Sequence, residues 1–89
     1  LKQTVIVENK PGAGGRIGNE VVKAAPADGT TLLMTPIATM GIFPHSYAGQ
    51  LRYDPFKDFA PVAHLANFHV GLGVGNAVPA KTLAEYVAW

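Results

Sequence analysis

Four apolar stretches of the chain predict strands, at residues 4–8, 31–35, 59–66 and 68–74. The first is β-branched and nearly continuous, the pattern of a strand covered on both faces of a parallel sheet, and the last shows partial alternation of apolar and polar positions. Between the first two, apolar residues recur at helical spacing: Ile17, Val21, Ala24 and Ala25. This stripe predicts a helix from about Gly15 to Ala25 that buries the stripe. Strand, helix and strand in this order form a βαβ unit, so the sequence predicts an α/β fold.

Two further helices are predicted near the middle and the end of the chain. A short helix is expected near Thr39–Phe43. Thr82 and Glu85 have the spacing of a capping box, in which each side chain satisfies a free backbone N–H of the other, so the last helix begins there. No Gly or Pro stop follows before Trp89, and the chain opens at Leu1 without Met. We therefore expect a piece of a longer protein.

Composition and charge exclude several classes of protein. The chain has 89 residues, 48% of them hydrophobic and 15% charged, which allows one small globular unit. There is no cysteine, so disulfides, zinc–thiolate sites and thiol nucleophiles are excluded. A net charge of +1 without a basic block argues against nucleic-acid binding. No apolar run approaches the length of a transmembrane helix.

A glycine-rich loop joins the first predicted strand to the first predicted helix. The candidate ligand-binding residues in it are Gly12, Ala13, Gly14 and Gly15. Glycines allow a ligand to approach the backbone closely, and free N–H groups at a helix start favour an anion. The dinucleotide-binding fingerprint is not met, because Gly18 comes one position late and no acidic residue ends the second strand. Two alternatives remain: an enzyme fragment that binds a nucleotide or phosphate through this loop, and a tight turn without ligand.

Thr35 and Thr39 follow the second predicted strand, at the edge of the sheet where open α/β proteins bind ligands. Their two hydroxyl groups can donate hydrogen bonds to a carboxylate. The alternative is that Thr35 only ends a strand and Thr39 only caps the next helix.

No catalytic or metal-binding arrangement is predicted elsewhere. The histidines lack the spacing of a metal site: His45, His64 and His69. Asp54 and Asp58 bracket a loop and are expected to cap a turn rather than to act as an acid–base pair. Nothing in the sequence therefore assembles a catalytic constellation, and no enzyme, metal or cofactor is predicted.

Four blocks of the chain resemble one protein family. These blocks, in their order in the family, are residues 5–18, 24–34, 53–62 and 78–85. They contain Glu-Asn-Lys-Pro-Gly-Ala-Gly-Gly, Ala-Ala-Pro-Ala-Asp-Gly, Tyr-Asp-Pro-Phe-Lys-Asp-Phe and Val-Pro-Ala-Lys-Thr-Leu-Ala-Glu. In this, the chain resembles the substrate-binding proteins of tripartite tricarboxylate transporters, the Bug family. Thr30 and Ala27 depart from the family's pattern, as does the loop from Thr35 to Thr39.

The resemblance implies part of a type II periplasmic-binding fold. Residues 1–75 would form part of the first lobe, and residues 76–89 would cross toward a second lobe. The first strand and the second lobe would lie outside these 89 residues. The implied function is that of a periplasmic receptor that takes a small organic anion, a carboxylate in most of the family, to a membrane permease. The loops at 12–15 and 35–39 would face the ligand.

The missing parts lead to one more expectation. A sheet without its central strand exposes edges and apolar surface, so we expect the 89-residue chain to associate with itself. A third interpretation of the sequence is an interaction fragment that retains no ligand site.

Overall fold

The computed structural model describes residues 2–89, and its regular elements are all helical. A 3₁₀ turn at Ala13–Gly15 leads directly into helix α1, Arg16–Ala24. A π-helical turn at Ala38–Ile42 continues into the short helix α2, Phe43–Ser46. Helix α3, Leu83–Ala88, lies near the end of the chain. None of these helices approaches the length and apolar character needed to cross a lipid bilayer, among the residues described.

The predicted α/β fold is wrong for this structure, because residues 2–89 contain no β-strand. The four stretches predicted as strands make no ladder, and most of their side chains lie in water: Val7 is 82% exposed and Val70 is 86% exposed. Apolar, β-branched composition describes side chains that fit well into a sheet, but it does not supply the neighbouring strand. Without strands there is no βαβ unit, and the type II periplasmic-binding fold is not formed in these residues.

The chain is expanded rather than packed around one core. Its radius of gyration is 17.7 Å and it measures 55 × 32 × 20 Å, whereas a compact domain of this length has a radius of gyration of about 12 Å. Only three described residues are buried, namely Asn19, Thr39 and Tyr53. All three belong to one region, so the tertiary structure of the described chain is concentrated there.

Helix α1 confirms the predicted helix but presents a different face to the protein. The predicted buried stripe is wrong: Ile17 and Val21 are each 44% exposed, whereas Asn19 is completely buried. Gly15, Asn19 and Lys23 follow at intervals of four residues, so they share one face. That face contacts the middle of the chain, because Gly15 lies against Thr39 and the Lys23 ammonium donates to the backbone oxygen of Arg52 at 2.7 Å.

We call residues 12–25 together with residues 35–59 the junction. Tyr53 ties its second part together: its hydroxyl donates to the backbone oxygen of Thr39 at 2.5 Å, and its ring meets that of Phe59 edge-to-face at 5.9 Å. We call residues 60–80 the uncharged segment, because it contains no Asp, Glu, Lys or Arg. Residues 60–77 are all exposed and form no helix or strand.

The predictions for the two smaller helices are confirmed. Helical structure covers the region predicted near Thr39–Phe43 and continues to Ser46. At the start of α3, the Thr82 hydroxyl accepts from the Glu85 N–H at 3.2 Å, and the Glu85 carboxylate accepts from the Thr82 N–H at 3.2 Å. The capping box is therefore present, as the local spacing predicts. These features need only neighbours in sequence, unlike the strands.

Candidate functional site

The glycine-rich loop forms a tight turn with a left-handed backbone. Gly12, Gly14 and Gly15 have φ of 122°, 67° and 95°, and Ala13 between them has φ of 50°. The Gly15 N–H donates to the Gly12 oxygen at 2.9 Å and closes the turn. Because L side chains rarely adopt these angles, the backbone favours glycine at positions 12, 14 and 15.

The same turn is pressed against the middle of the chain. A Cβ atom at Gly14 would lie 3.1 Å from the ring of Phe43, and one at Gly15 would lie 3.3 Å from Cγ2 of Thr39. The structure thus brings together the two groups of candidate residues, at 12–15 and at 35–39. The tight contacts give a packing reason for glycine beside the conformational one.

Thr35 and Thr39 are joined by a direct hydrogen bond between their hydroxyl oxygens, 2.8 Å apart. Thr39 Oγ1 also lies 3.0 Å from the Pro36 backbone oxygen, to which it donates. Thr39 is only 1% exposed, whereas Thr35 is half-buried. The two candidate hydroxyls therefore differ in their exposure to solvent: Thr35 is accessible to a ligand, whereas Thr39 is not.

The start of α1 carries a positive charge that nothing acidic offsets within its first turn. The N-cap is Gly15, which has no side chain to cap the helix. Arg16 follows; its Nε donates to the Ala13 oxygen at 3.0 Å and its guanidinium lies 4.4 Å from the centre of the Tyr47 ring. The Gly15 and Arg16 N–H groups already donate to the Gly12 and Ala13 oxygens, so the positive end of the helix dipole and the fixed guanidinium are what favour an anion here.

An ion pair joins the end of α1 to the end of the junction near Asp58. The Lys23 ammonium lies 2.9 Å from the Asp58 carboxylate, which also accepts from the Asp54 N–H at 2.7 Å. That backbone hydrogen bond, together with Lys23, lowers the pKa of Asp58 below its ordinary value of 3.8. Asp54 in turn accepts from the N–H groups of Phe56 and Lys57, at 2.9 and 3.2 Å. The prediction that Asp54 and Asp58 form a capped turn is confirmed.

Two surface cavities lie apart from the candidate residues. One, of about 280 Å³, is bordered by Tyr47, Tyr53 and Phe56 on the outer side of the junction. The other, of about 240 Å³, lies between Val74 and Tyr86 of α3. Neither is lined by Gly12, Ala13, Gly14, Gly15, Thr35 or Thr39. The candidate residues lie at a contact between two segments, apart from both of these cavities.

Several residues that build this surface were missed by sequence reasoning. Asn19 is fully buried, and its amide oxygen and nitrogen have no hydrogen-bond partner in the part of the chain described. The two loops are also held by contacts between residues distant in sequence, made by the Phe43 ring, the Tyr53 hydroxyl and the Arg16 guanidinium. Their partners lie up to 31 positions away, as for Arg16 and Tyr47, so no local spacing signals them. One indication that Asn19 is buried was present in the sequence: it lies four residues after Gly15 and so shares its helical face.

Comparison with known proteins assigns the chain to a family. The model of the tripartite tricarboxylate transporter family receptor matches residues 1–89, the entire chain. The chain therefore belongs to this receptor family, and the resemblance seen in its four sequence blocks is confirmed.

Curated relatives agree with this assignment. The chain is 38% identical over 89 residues to a UPF0065 protein of Cupriavidus necator, covering all of this chain and 26% of that protein. It is 35% identical over 88 residues to a UPF0065 protein of Bordetella bronchiseptica, and 35% identical over 88 residues to protein BugT of Bordetella pertussis. These cover 99% of this chain and 26% and 27% of the relatives. The chain thus spans about a quarter of the length of these relatives. No solved structure matches it significantly.

Proposed function

We propose that this chain supplies part of the ligand-binding surface of a solute receptor for a small organic anion, with a carboxylate as the group recognised. The receptor acts by binding rather than by catalysis, and residues 1–75 belong to its first lobe. It works in the periplasm, where it delivers its ligand to the membrane permease of a tripartite transporter. Membership of the tripartite tricarboxylate transporter receptor family supports the transport role.

One observation supports the location of the ligand-binding surface above all others. The turn at Gly12–Gly15 and the hydroxyl pair of Thr35 and Thr39 are far apart in sequence, yet Gly15 lies against Thr39. A carboxylate at this contact would meet a hydroxyl donor from one segment and the positive N-terminal end of α1, which no side chain caps, from the other. Both are groups that bind anions without a metal.

Isothermal titration calorimetry on the 89-residue chain tests this proposal. Succinate, citrate, glutamate and benzoate sample small aliphatic, amino-bearing and aromatic acids, and inorganic phosphate and ATP sample the nucleotide alternative. We expect at least one of the four acids to bind. Thr35→Val should weaken that binding about tenfold, the effect of losing a hydrogen bond to a charged group.

The matched control is Thr31→Val, the same substitution at an exposed threonine for which no side-chain hydrogen bond is found within the described chain. This variant should bind as the unaltered chain does. Binding of phosphate or ATP in preference to all four acids would favour the nucleotide alternative. If none of the six compounds binds, the proposed ligand-binding surface is overturned.

A further inference from the structure

The hydroxyl groups of Thr35 and Thr39 have two hydrogens to distribute among three acceptor positions. Thr39 Oγ1 can donate to the Pro36 oxygen at 3.0 Å or to Thr35 Oγ1 at 2.8 Å, but its single hydrogen serves one of them at a time. When Thr39 donates to Pro36, the 2.8 Å contact remains a hydrogen bond only if Thr35 donates inward to Thr39. In this arrangement Thr35 has only lone pairs left for a ligand, and lone pairs repel a carboxylate.

Turning the Thr39 hydroxyl reverses the direction of both hydrogen bonds. The Pro36 oxygen then keeps a partner, because the Thr39 N–H donates to it at 3.1 Å. The reversal therefore keeps both the Pro36 oxygen and the Thr39 hydroxyl in a hydrogen bond, which keeps its cost small. Once Thr39 donates to Thr35, the hydrogen of Thr35 is free to point outward.

We propose that Thr39 is a positioning residue that acts only through Thr35: an anion selects the arrangement in which Thr39 donates to Thr35 and Thr35 donates to the ligand carboxylate. This inference rests on the proposed function. Thr39 makes no contact with the ligand, since it is 1% exposed. Tyr53 holds Thr39 in place by donating to its backbone oxygen. Hydrogen bonds that follow one another in this way polarise and strengthen each other.

A double-mutant cycle tests the dependence of Thr39 on Thr35. The probe is whichever of succinate, citrate, glutamate and benzoate binds the unaltered chain most tightly by calorimetry. We expect Thr35→Val to weaken binding about tenfold, and Thr39→Val about threefold. The double variant should bind as weakly as Thr35→Val alone, because Thr39 has no route to the ligand once Thr35 is gone.

The serine variants are the matched controls. Thr35→Ser and Thr39→Ser keep both hydroxyls and should bind within about twofold of the unaltered chain, since the hydrogen bonds that carry the effect remain. If the losses in the double variant multiply instead, Thr39 acts independently of Thr35 and the inference is overturned while the proposed function stands. If none of the four acids binds the unaltered chain, both are overturned.

A second measurement requires no substitution and remains informative if Thr39→Val fails to fold. The buried Thr39 hydroxyl hydrogen should give a resolved NMR signal. Adding the probe acid should move this signal as its acceptor changes from the Pro36 oxygen to Thr35 Oγ1. A signal that stays in place while Thr35 amide signals respond to the acid would overturn the inference.

Discussion

Burial in the junction and in the uncharged segment is the reverse of what the hydrophobicity of the two regions would suggest. The uncharged segment is rich in apolar side chains and carries no formal charge, yet residues 60–77 are all exposed. The junction contains the buried residues, and two of the three, Asn19 and Thr39, are polar. Order in this chain follows from glycine contacts, hydroxyl groups and one tyrosine that reach across the sequence. Apolar content without a partner surface leaves a segment in water.

Removing the central tyrosine should affect the junction most. Tyr53→Ala deletes a side chain that is 5% exposed, its hydrogen bond to Thr39 and its contact with Phe59. We expect a loss of about 3 kcal/mol, the usual cost of truncating a buried aromatic. Hydrogen exchange should then show α1 amides that exchange freely, with α3 unchanged. Tyr53→Phe keeps the ring and should cost about 1 kcal/mol. Unchanged protection of α1 in Tyr53→Ala would show that Tyr53 does not organise the junction.

Adding a side chain at the contact between Gly15 and Thr39 should cause the next largest loss of stability. Gly15→Ala adds a Cβ that meets Thr39 at 3.3 Å in a residue with φ of 95°. Gly49 has φ of 77° with no atom near its own added Cβ, so Gly49→Ala isolates the backbone cost. We expect losses of about 2 and about 1 kcal/mol, respectively, by urea unfolding. Equal losses would mean that Thr39 yields to the added methyl group without cost.

Substitution of the buried amide should act in the opposite direction. Asn19→Leu replaces two unpaired polar atoms with an apolar group of similar size. Stability should rise by about 1 kcal/mol, because a buried group without a partner costs free energy. Asn19→Ala is the comparison variant: it also removes the unpaired atoms but leaves a void, so its gain should be smaller. Destabilisation by Asn19→Leu would indicate that the amide has a hydrogen-bond partner in solution.

Acid should loosen the end of the junction held by the ion pair. The folded-state pKa of Asp58 is lowered, so its contribution to stability is complete above its ordinary pKa near 3.8 and is lost as the pH falls through the folded-state value. Asp58→Asn should remove this pH dependence, with a smaller change in stability than the preceding variants, because exposed pairs contribute little. Unfolding curves between about pH 2 and pH 6 measure this. A slope that persists below pH 4 in Asp58→Asn would assign it to another carboxylate.

The smallest change in folding stability is expected in the uncharged segment. Val70→Lys places a charge among exposed apolar side chains and should leave the stability of the junction unchanged, since Val70 is 86% exposed. It should, however, reduce the self-association that we expect of the chain, because charge opposes pairing of apolar segments. Light scattering on a size-exclusion column measures the mass, with Val5→Lys as a control in a second exposed stretch. A monomeric unaltered chain would contradict the expectation.

Sequence reasoning succeeded where structure depends on near neighbours. The helix α1, the helical region after Ala38, the cap of α3 and the turn at Asp54–Asp58 all follow from local spacing. The strands failed because a strand needs a partner segment, which β-propensity cannot supply. Asn19 and Tyr53 were missed for a related reason, as their burial depends on the way α1 meets residues 35–59. The site predictions stay untested, although the structure brings the two loops together.

The lack of Lys and Arg between Lys57 and Lys81 has a consequence for cleavage of the chain. An enzyme that cuts after basic residues finds no bond to cleave from Asp58 to Lys81. An enzyme that cuts beside large apolar residues finds Leu65, Phe68 and Leu72, all of them exposed. Exposed, irregular segments are the preferred sites of proteolytic nicking. The same stretch is therefore a protected span for trypsin-like proteases and the first point of attack for chymotrypsin-like ones.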